Sequence, residues 1–174
     1  WKDDYVKLVY RKFEGVWSDS SALDLPFANF DFRLLLNRSG GVAAFWIDPT
    51  DSNLYYSSVQ EEAMARTESW NAPALLAGGV VGFDVLVDDD NQAHLIYARG
   101  RETSDNPAGI YYRNSTGSLA NWSSSRLVYQ SKYYRSFLPA PGITSASTGL
   151  TNLNVHIASG RNGETLTTVL SWEN

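Results

Sequence analysis

Three tryptophans at nearly equal intervals constrain this chain more than anything else in it. Trp17, Trp70 and Trp122 lie 53 and 52 residues apart, each followed by serine or asparagine, and five or six residues later come Leu23, Leu75 and Leu127. Fourteen residues after the first two tryptophans stand Asp31 and Asp84, each preceded by phenylalanine (Phe30, Phe83), whereas the third copy has Ser136 at that offset. Upstream of each tryptophan is a tyrosine-bearing stretch: Leu8-Val9-Tyr10, Leu54-Tyr55-Tyr56 and Ile110-Tyr111-Tyr112. The tyrosine-to-tryptophan distance varies (7, 14 and 10 residues), as a surface loop that tolerates insertion would. A self-similar period of this length points to stacked repeats, each too small to bury its own apolar face.

Within one period the strands read directly. Phe83 to Val87 is a short β-rich run, Asp88-Asp89-Asp90-Asn91 is a turn of residues that bond their own backbone, and Ala93 to Ala98 is the returning strand. The Ile110-Tyr111-Tyr112 strand and Arg126 to Tyr129 complete four short strands. The preceding period repeats them as Phe32 to Leu36, a turn at Asn37 to Gly40, Val42 to Ile47, Leu54 to Tyr56 and Leu75-Leu76. Helical periodicity is absent except for one turn predicted at Gln60 to Arg66. After Pro139 and Pro141, Asn154 to Ala158 reads as a strand and Glu164 to Leu170 as a third-position strand.

Four antiparallel strands per roughly 40 to 50 residues is the pattern of β-propeller blades. The expected fold is therefore all-β, about three four-stranded blades of a larger ring of about six or seven. The approximate units are 1–29 (partial), 30–82, 83–135 and 136–174 (partial) within a single propeller segment. An immunoglobulin-like sandwich also has many short strands, but it leaves the in-register Trp, Leu and Phe-Asp unexplained. About three blades cannot close a ring. The expectation is a fragment whose further blades come from missing chain, a proteolytic partner or a second copy.

Composition narrows the partners. With 43% hydrophobic and 13% aromatic residues but only 19% charged, the chain reads as packed rather than disordered. A formal charge of -5 and the lack of any basic run disfavour nucleic acid and anionic membrane surfaces as partners. No apolar stretch is long enough to insert in a membrane as a helix. Low lysine, abundant Ser, Asn, Thr and Tyr, and no cysteine suit an exported bacterial protein, so an extracellular or cell-surface location is expected.

The succession of strand, Asp-rich turn, strand, Ile110-Tyr111-Tyr112-Arg113-Asn114-Ser115, loop and Asn121-Trp122-Ser123 resembles the sialidase-like propeller superfamily with its Asp-box repeats. The box itself is matched by Ser115 to Trp122, which keeps the family's serine and tryptophan but not its aspartate or spaced glycine. The resemblance implies a blade architecture and, for the box, a structural turn; function must be read from sites.

Several residues are candidates for such a site. Asp31 and Asp84, at the start of first strands, could hold a cation or sugar hydroxyls, or act as acid or base in a glycoside hydrolase; the competing reading is a strand-entry aspartate bonding backbone. The arginine and Tyr-Glu set that the resemblance would require of a sialidase is not assembled by Arg33, Arg99, Arg113 and Arg135. Asp88, Asp89 and Asp90 are a weak candidate for Ca2+, lacking loop spacing and a closing glutamate, and read better as a solvent-facing turn. His94 and His156 stand singly in strands. Trp46, Tyr56, Tyr112 and Tyr134 exceed what packing needs and are candidate stacking surfaces for a glycan or protein ligand. The repeated tryptophans are expected between blades. Asn37, Asn114 and Asn121 begin glycosylation sequons.

The sequence thus favours a non-catalytic extracellular propeller that binds glycan or protein, or forms part of a surface assembly. The alternative is a glycoside hydrolase of the sialidase-like type, its chemistry partly on missing blades.

Overall fold

A computed structural model describes residues 7–11, 15–19, 21–24, 32–100, 102–116, 119–131 and 153–173. Asp31 and Tyr134 lie outside these residues, as does Ser136. The first complete sheet consists of β3 (Phe32–Leu36), β4 (Gly41–Asp48), β5 (Asn53–Gln60) and β6 (Ala74–Ala77), hydrogen-bonded antiparallel in sequence order. The second repeats it with β7 (Val80–Val87), β8 (Gln92–Arg99), β9 (Gly109–Thr116) and β10 (Arg126–Gln130). Two antiparallel pairs flank them in sequence: β1 (Lys7–Tyr10) with β2 (Ser21–Asp24), and β11 (Val155–Asn162) with β12 (Thr165–Trp172). The helical turn expected after Gln60 is a 3-10 turn at Glu61–Ala63, followed by another at Thr67–Ser69. No helix among the described residues is long and apolar enough to cross a membrane.

The ladders fix which residues are equivalent. Phe32 pairs with Trp46 as Phe83 pairs with Tyr97, and Leu36 pairs with Val42 as Val87 pairs with Ala93. Trp46 pairs with Tyr55 as Tyr97 does with Tyr111, and Tyr55 with Leu75 as Tyr111 with Leu127. The match of Leu75 with Leu127 is therefore structural. The Phe-Asp match is not: Phe32, not Phe30, takes the place of Phe83, and Arg33 that of Asp84. A two-residue slip keeps every side chain on its own face, so alternation alone could not expose it.

The sheets stack face to back. Leu35, Ala43, Phe45 and Leu54 of the first meet Phe83, Leu95, Tyr97 and Tyr111 of the second in one buried cluster. The other face of the first sheet carries Val42, Ala44, Trp46, Val59 and Trp70, with Ala63 and Met64 packed on it from the β5–β6 connection. The other face of the second carries Ile96, Ala98 and Ile110, covered by Leu153, Val155 and Ile157. The middle strands β4 and β8 have both faces covered, which is why they read as nearly unbroken apolar runs. Each large apolar side chain so buried contributes about 1.5–3 kcal/mol before entropy is counted.

β11 lies against β7 and β8, as β7 lies against β3 and β4. It is held there by Leu153 N–H donating to Val81 O at 2.9 Å and Ile157 N–H donating to Asp84 Oδ2 at 3.0 Å. Glu164 to Leu170, expected as a third-position strand, fall largely within β12, which pairs with β11 in a two-stranded sheet among the described residues. The approach at Leu153 is so close that a Cβ on Gly82 would run into its carbonyl oxygen. Gly82→Ala should therefore cost about 1–3 kcal/mol by forcing β11 outward, measurable as a lowered urea midpoint.

The repeated tryptophans have different fates. Trp122, in the β9–β10 loop, sits edge-on to Phe45 of the first sheet (5.6 Å between centroids, 90°) and donates its Nε1–H to Leu119 O. Trp70, in the matching loop, is buried on the far face of the first sheet and donates to Met64 O. Trp17 is 59% exposed, contrary to the expectation of a buried ring.

Candidate functional site

The first hairpin of each complete sheet turns on one side chain. Asn37 Oδ1 accepts from the N–H groups of Ser39 and Gly41 (3.0 and 2.8 Å), and Asp88 Oδ1 accepts from those of Asp90 and Gln92 (2.9 Å each). The fourth turn residue has positive φ in both, Gly40 at 75° and Asn91 at 60°, conformations that glycine and asparagine tolerate best. Asn37 is buried, so the carboxamide of that sequon is part of the turn.

The turn needs one acceptor oxygen, and asparagine supplies it. Asp88 brings a second, and the second sheet uses it. His94 Nε2 lies 2.7 Å from Asp88 Oδ2, and His94 Nδ1 lies 2.6 Å from the Tyr112 hydroxyl. With a neutral ring, Nε2–H donates to the carboxylate and Nδ1 accepts the phenol proton; with a charged ring, Nδ1–H donates to the phenol oxygen. The side chains of His94 and Asp88 are 4% and 0% exposed. The ladder positions in the first sheet hold Asn37, Ala43 and Tyr56, so the chain of three groups is an addition to the repeat and not part of its frame.

Burial raises the proton affinity of Asp88, but the bond from His94, the two backbone N–H groups and the imidazole charge outweigh it and hold the carboxyl below its ordinary value. Burial pushes the Tyr112 phenol upward, opposed by Arg126 and reinforced by Asp88; the Arg126 guanidinium lies over its ring at 5.4 Å. The histidine is thus enclosed between a carboxylate and a phenol. It is not the single strand residue the sequence suggested, and the turn is not wholly solvent-facing. The signal was available in register: Leu86 opposite His94 places the imidazole two rungs from the turn that Asp88 opens.

The other two turn carboxylates face protein cations. Asp89 Oδ1 accepts from Arg38 of the preceding hairpin at 3.2 Å, and Asp90 Oδ1 is paired with Arg161 of the following one. Arg38 N–H and Ser39 Oγ also bond the Asn91 carboxamide, so three successive hairpin tips are tied in a row. All three oxygen donors considered for Ca2+ thus have protein partners.

Asp84 is placed on β7 with Oδ1 accepting from its neighbour Val85 N–H and Oδ2 from Ile157 N–H, 3.9 Å from His156 Nδ1. It ties the second sheet to β11. Of the aromatic candidates, Trp46 is buried against Tyr55 on the far face of the first sheet (6.0 Å, 24°), Tyr56 stacks on Phe45 in the seam between the two sheets (6.0 Å, 21°) and donates its hydroxyl to Ala120 O at 2.8 Å, and Tyr112 bonds His94. Arg113 crosses the same seam, donating to Leu76 O and Ser123 O at 2.6 Å each.

No protein-family model matches the chain, and no curated protein matches it.

Proposed function

We propose that the chain is part of a non-catalytic extracellular β-propeller of sialidase-like type, whose connecting loops bind a glycan or a protein. The observation that carries this reading is the use of the polar and aromatic candidates. Asp84, Asp88, Tyr56 and Tyr112 all spend their polar atoms on contacts between or within sheets. Exposed polar residues stand in the loops joining second to third strands, among them Thr50, Asp51 and Ser52, and Glu102, Thr103, Ser104 and Asp105. Rigid sheets presenting variable loops are a common basis of recognition. Face-to-back stacking of sequential four-stranded sheets supports the propeller; the remaining sheets of the ring would come from further chain or a second copy.

The test is a glycan array and a proteome pull-down, comparing the chain with a variant in which residues 102–106 are replaced by a Gly-Ser linker. Ligand binding should vanish in the variant while its circular dichroism is unchanged. Asp84→Asn should bind as the parent does. A glycosidase activity that Asp84→Asn abolishes would favour the hydrolase instead.

A further inference from the structure

An unpaired strand edge is a template for another chain, and proteins blunt such edges by keeping them short, charged or bulged. Among the described residues the other terminal strands show these devices. β1, β2 and β6 are four residues each, β3 carries Arg33, and β11 carries Arg161. β7 carries Asp84 and a break in register between Val80 and Gly82, and β10 carries Arg126 and a break between Leu127 and Tyr129. β12 has none of them: Thr165–Trp172 runs eight residues without a charge, a proline or a break in its ladder, and it pairs only with β11. The ladder also shows which groups face outward. Glu173 N–H donates to Asn154 O at 3.2 Å, and bonded rungs alternate along an antiparallel pair. The N–H groups of Leu166, Thr168 and Leu170 therefore point to the open edge.

A strand that fits this edge exists elsewhere in the same sequence. β1 and β2 pair antiparallel, and Trp17 lies between them as Trp70 lies between β5 and β6 and Trp122 between β9 and β10. Leu23 stands opposite Leu8 as Leu75 stands opposite Tyr55 and Leu127 opposite Tyr111. By this pattern β1 and β2 match a third and a fourth strand, and among the described residues they are joined to no second. β11 lies against β7 as β7 lies against β3, which sets β12 in the place of β4 and β8. It is a second strand joined to no third. The two pairs are complementary halves of the four-stranded sheet that the chain forms twice in full.

We propose that β1 of a second copy of this chain adds antiparallel to the free edge of β12, so that β11 and β12 of one chain and β1 and β2 of the other make one four-stranded sheet. Strand addition of this kind draws its affinity from main-chain hydrogen bonds. The inference rests on the propeller reading above and is independent of what the loops bind. The chain's own β1 is not the occupant, because closure there would leave a ring of three sheets, whereas propellers hold about four to eight. Two chains joined reciprocally about a two-fold axis bring two complete sheets each and share two more, a ring of six.

The experiment is light scattering and sedimentation of the 174-residue chain, which should have the mass of two chains. Thr168→Pro removes an N–H aimed at the open edge and spares those bonded to β11, a place where an edge strand tolerates proline. It should run as one chain with unchanged circular dichroism. The sequence has no cysteine, so introduced thiols report the pairing. Val9→Cys and Val169→Cys, mixed and treated with a short bismaleimide, should yield a two-chain product containing one of each, and the double variant should be linked between chains. A parent of single-chain mass, or a Thr168→Pro variant as dimeric as the parent, overturns the second copy and leaves the propeller reading to be completed by further chain. A link from 9 to 169 within one chain overturns the second copy too. Links of Val169→Cys only to itself would mean that β12 pairs with β12, which overturns the propeller reading as well. Should Thr168→Pro fail to fold, the cross-links decide.

Discussion

Phe45→Ala should destabilise the protein by about 3–5 kcal/mol, the range for removing a buried aromatic ring. The ring is fully buried, stacks on Tyr56 of its own sheet and receives the edge of Trp122 from the next. Truncation therefore opens a cavity bounded by two sheets, and neither can collapse into it without breaking its own ladder. Leu75→Ala is the control: the side chain is 58% exposed and its loss should cost within about 0.5 kcal/mol. Urea unfolding of both variants at constant m-value makes the comparison. Equal costs would mean that the seam is not a packed core.

His94→Ala should cost a comparable amount, about 3–5 kcal/mol, because it strands the Asp88 carboxylate in a buried site without its partner. Asp88→Asn should cost less, since its carboxamide oxygen can still hold the turn as Asn37 does in the first sheet. The double variant should cost less than the sum, as coupled neighbours do. The pH dependence has a definite sign. The folded-state pKa of Asp88 lies below its unfolded value, so its contribution is complete above the unfolded carboxylate range and is lost as pH falls through the folded value. Parent stability should thus decline on acidification through an interval that starts near the ordinary carboxylate pKa. Asp88→Asn should lose that part of the slope. A variant with the parent's full acid limb would remove Asp88 from the explanation.

The strands of both complete sheets are legible in the sequence because β-rich runs, Asx-type turns and paired tyrosines recur together. Val42 to Ile47 and Ala93 to Ala98 fall within β4 and β8. What misleads is coincidence at fixed parity. Phe30-Asp31 copies Phe83-Asp84 in letters, yet the ladder sets Phe32 and Arg33 in those places. The β11–β12 pair is harder still, because its position is decided by what it packs against, not by its own residues. Stacking surfaces for Trp46, Tyr56 and Tyr112 are a fair inference from an excess of aromatic residues. Trp46 is 5% exposed, and the Tyr56 and Tyr112 hydroxyls are bonded to Ala120 O and His94. The link from Asp88 through His94 to Tyr112 spans the turn and two strands, and only register brings it together.

Strands that pair only with their sequence neighbours have a kinetic consequence. Every ladder in the two complete sheets closes over a single connection, four residues long at each first hairpin and longest at residues 61–73 between β5 and β6, so the loop-closure entropy at each step is that of a local contact. Each sheet can form largely by itself, and energy passes between sheets only through the adjoining seam, as in a one-dimensional array of coupled units. Amide exchange should resolve this as protection that rises or falls sheet by sheet, with Phe45→Ala loosening the two sheets that share its seam before the region around β11.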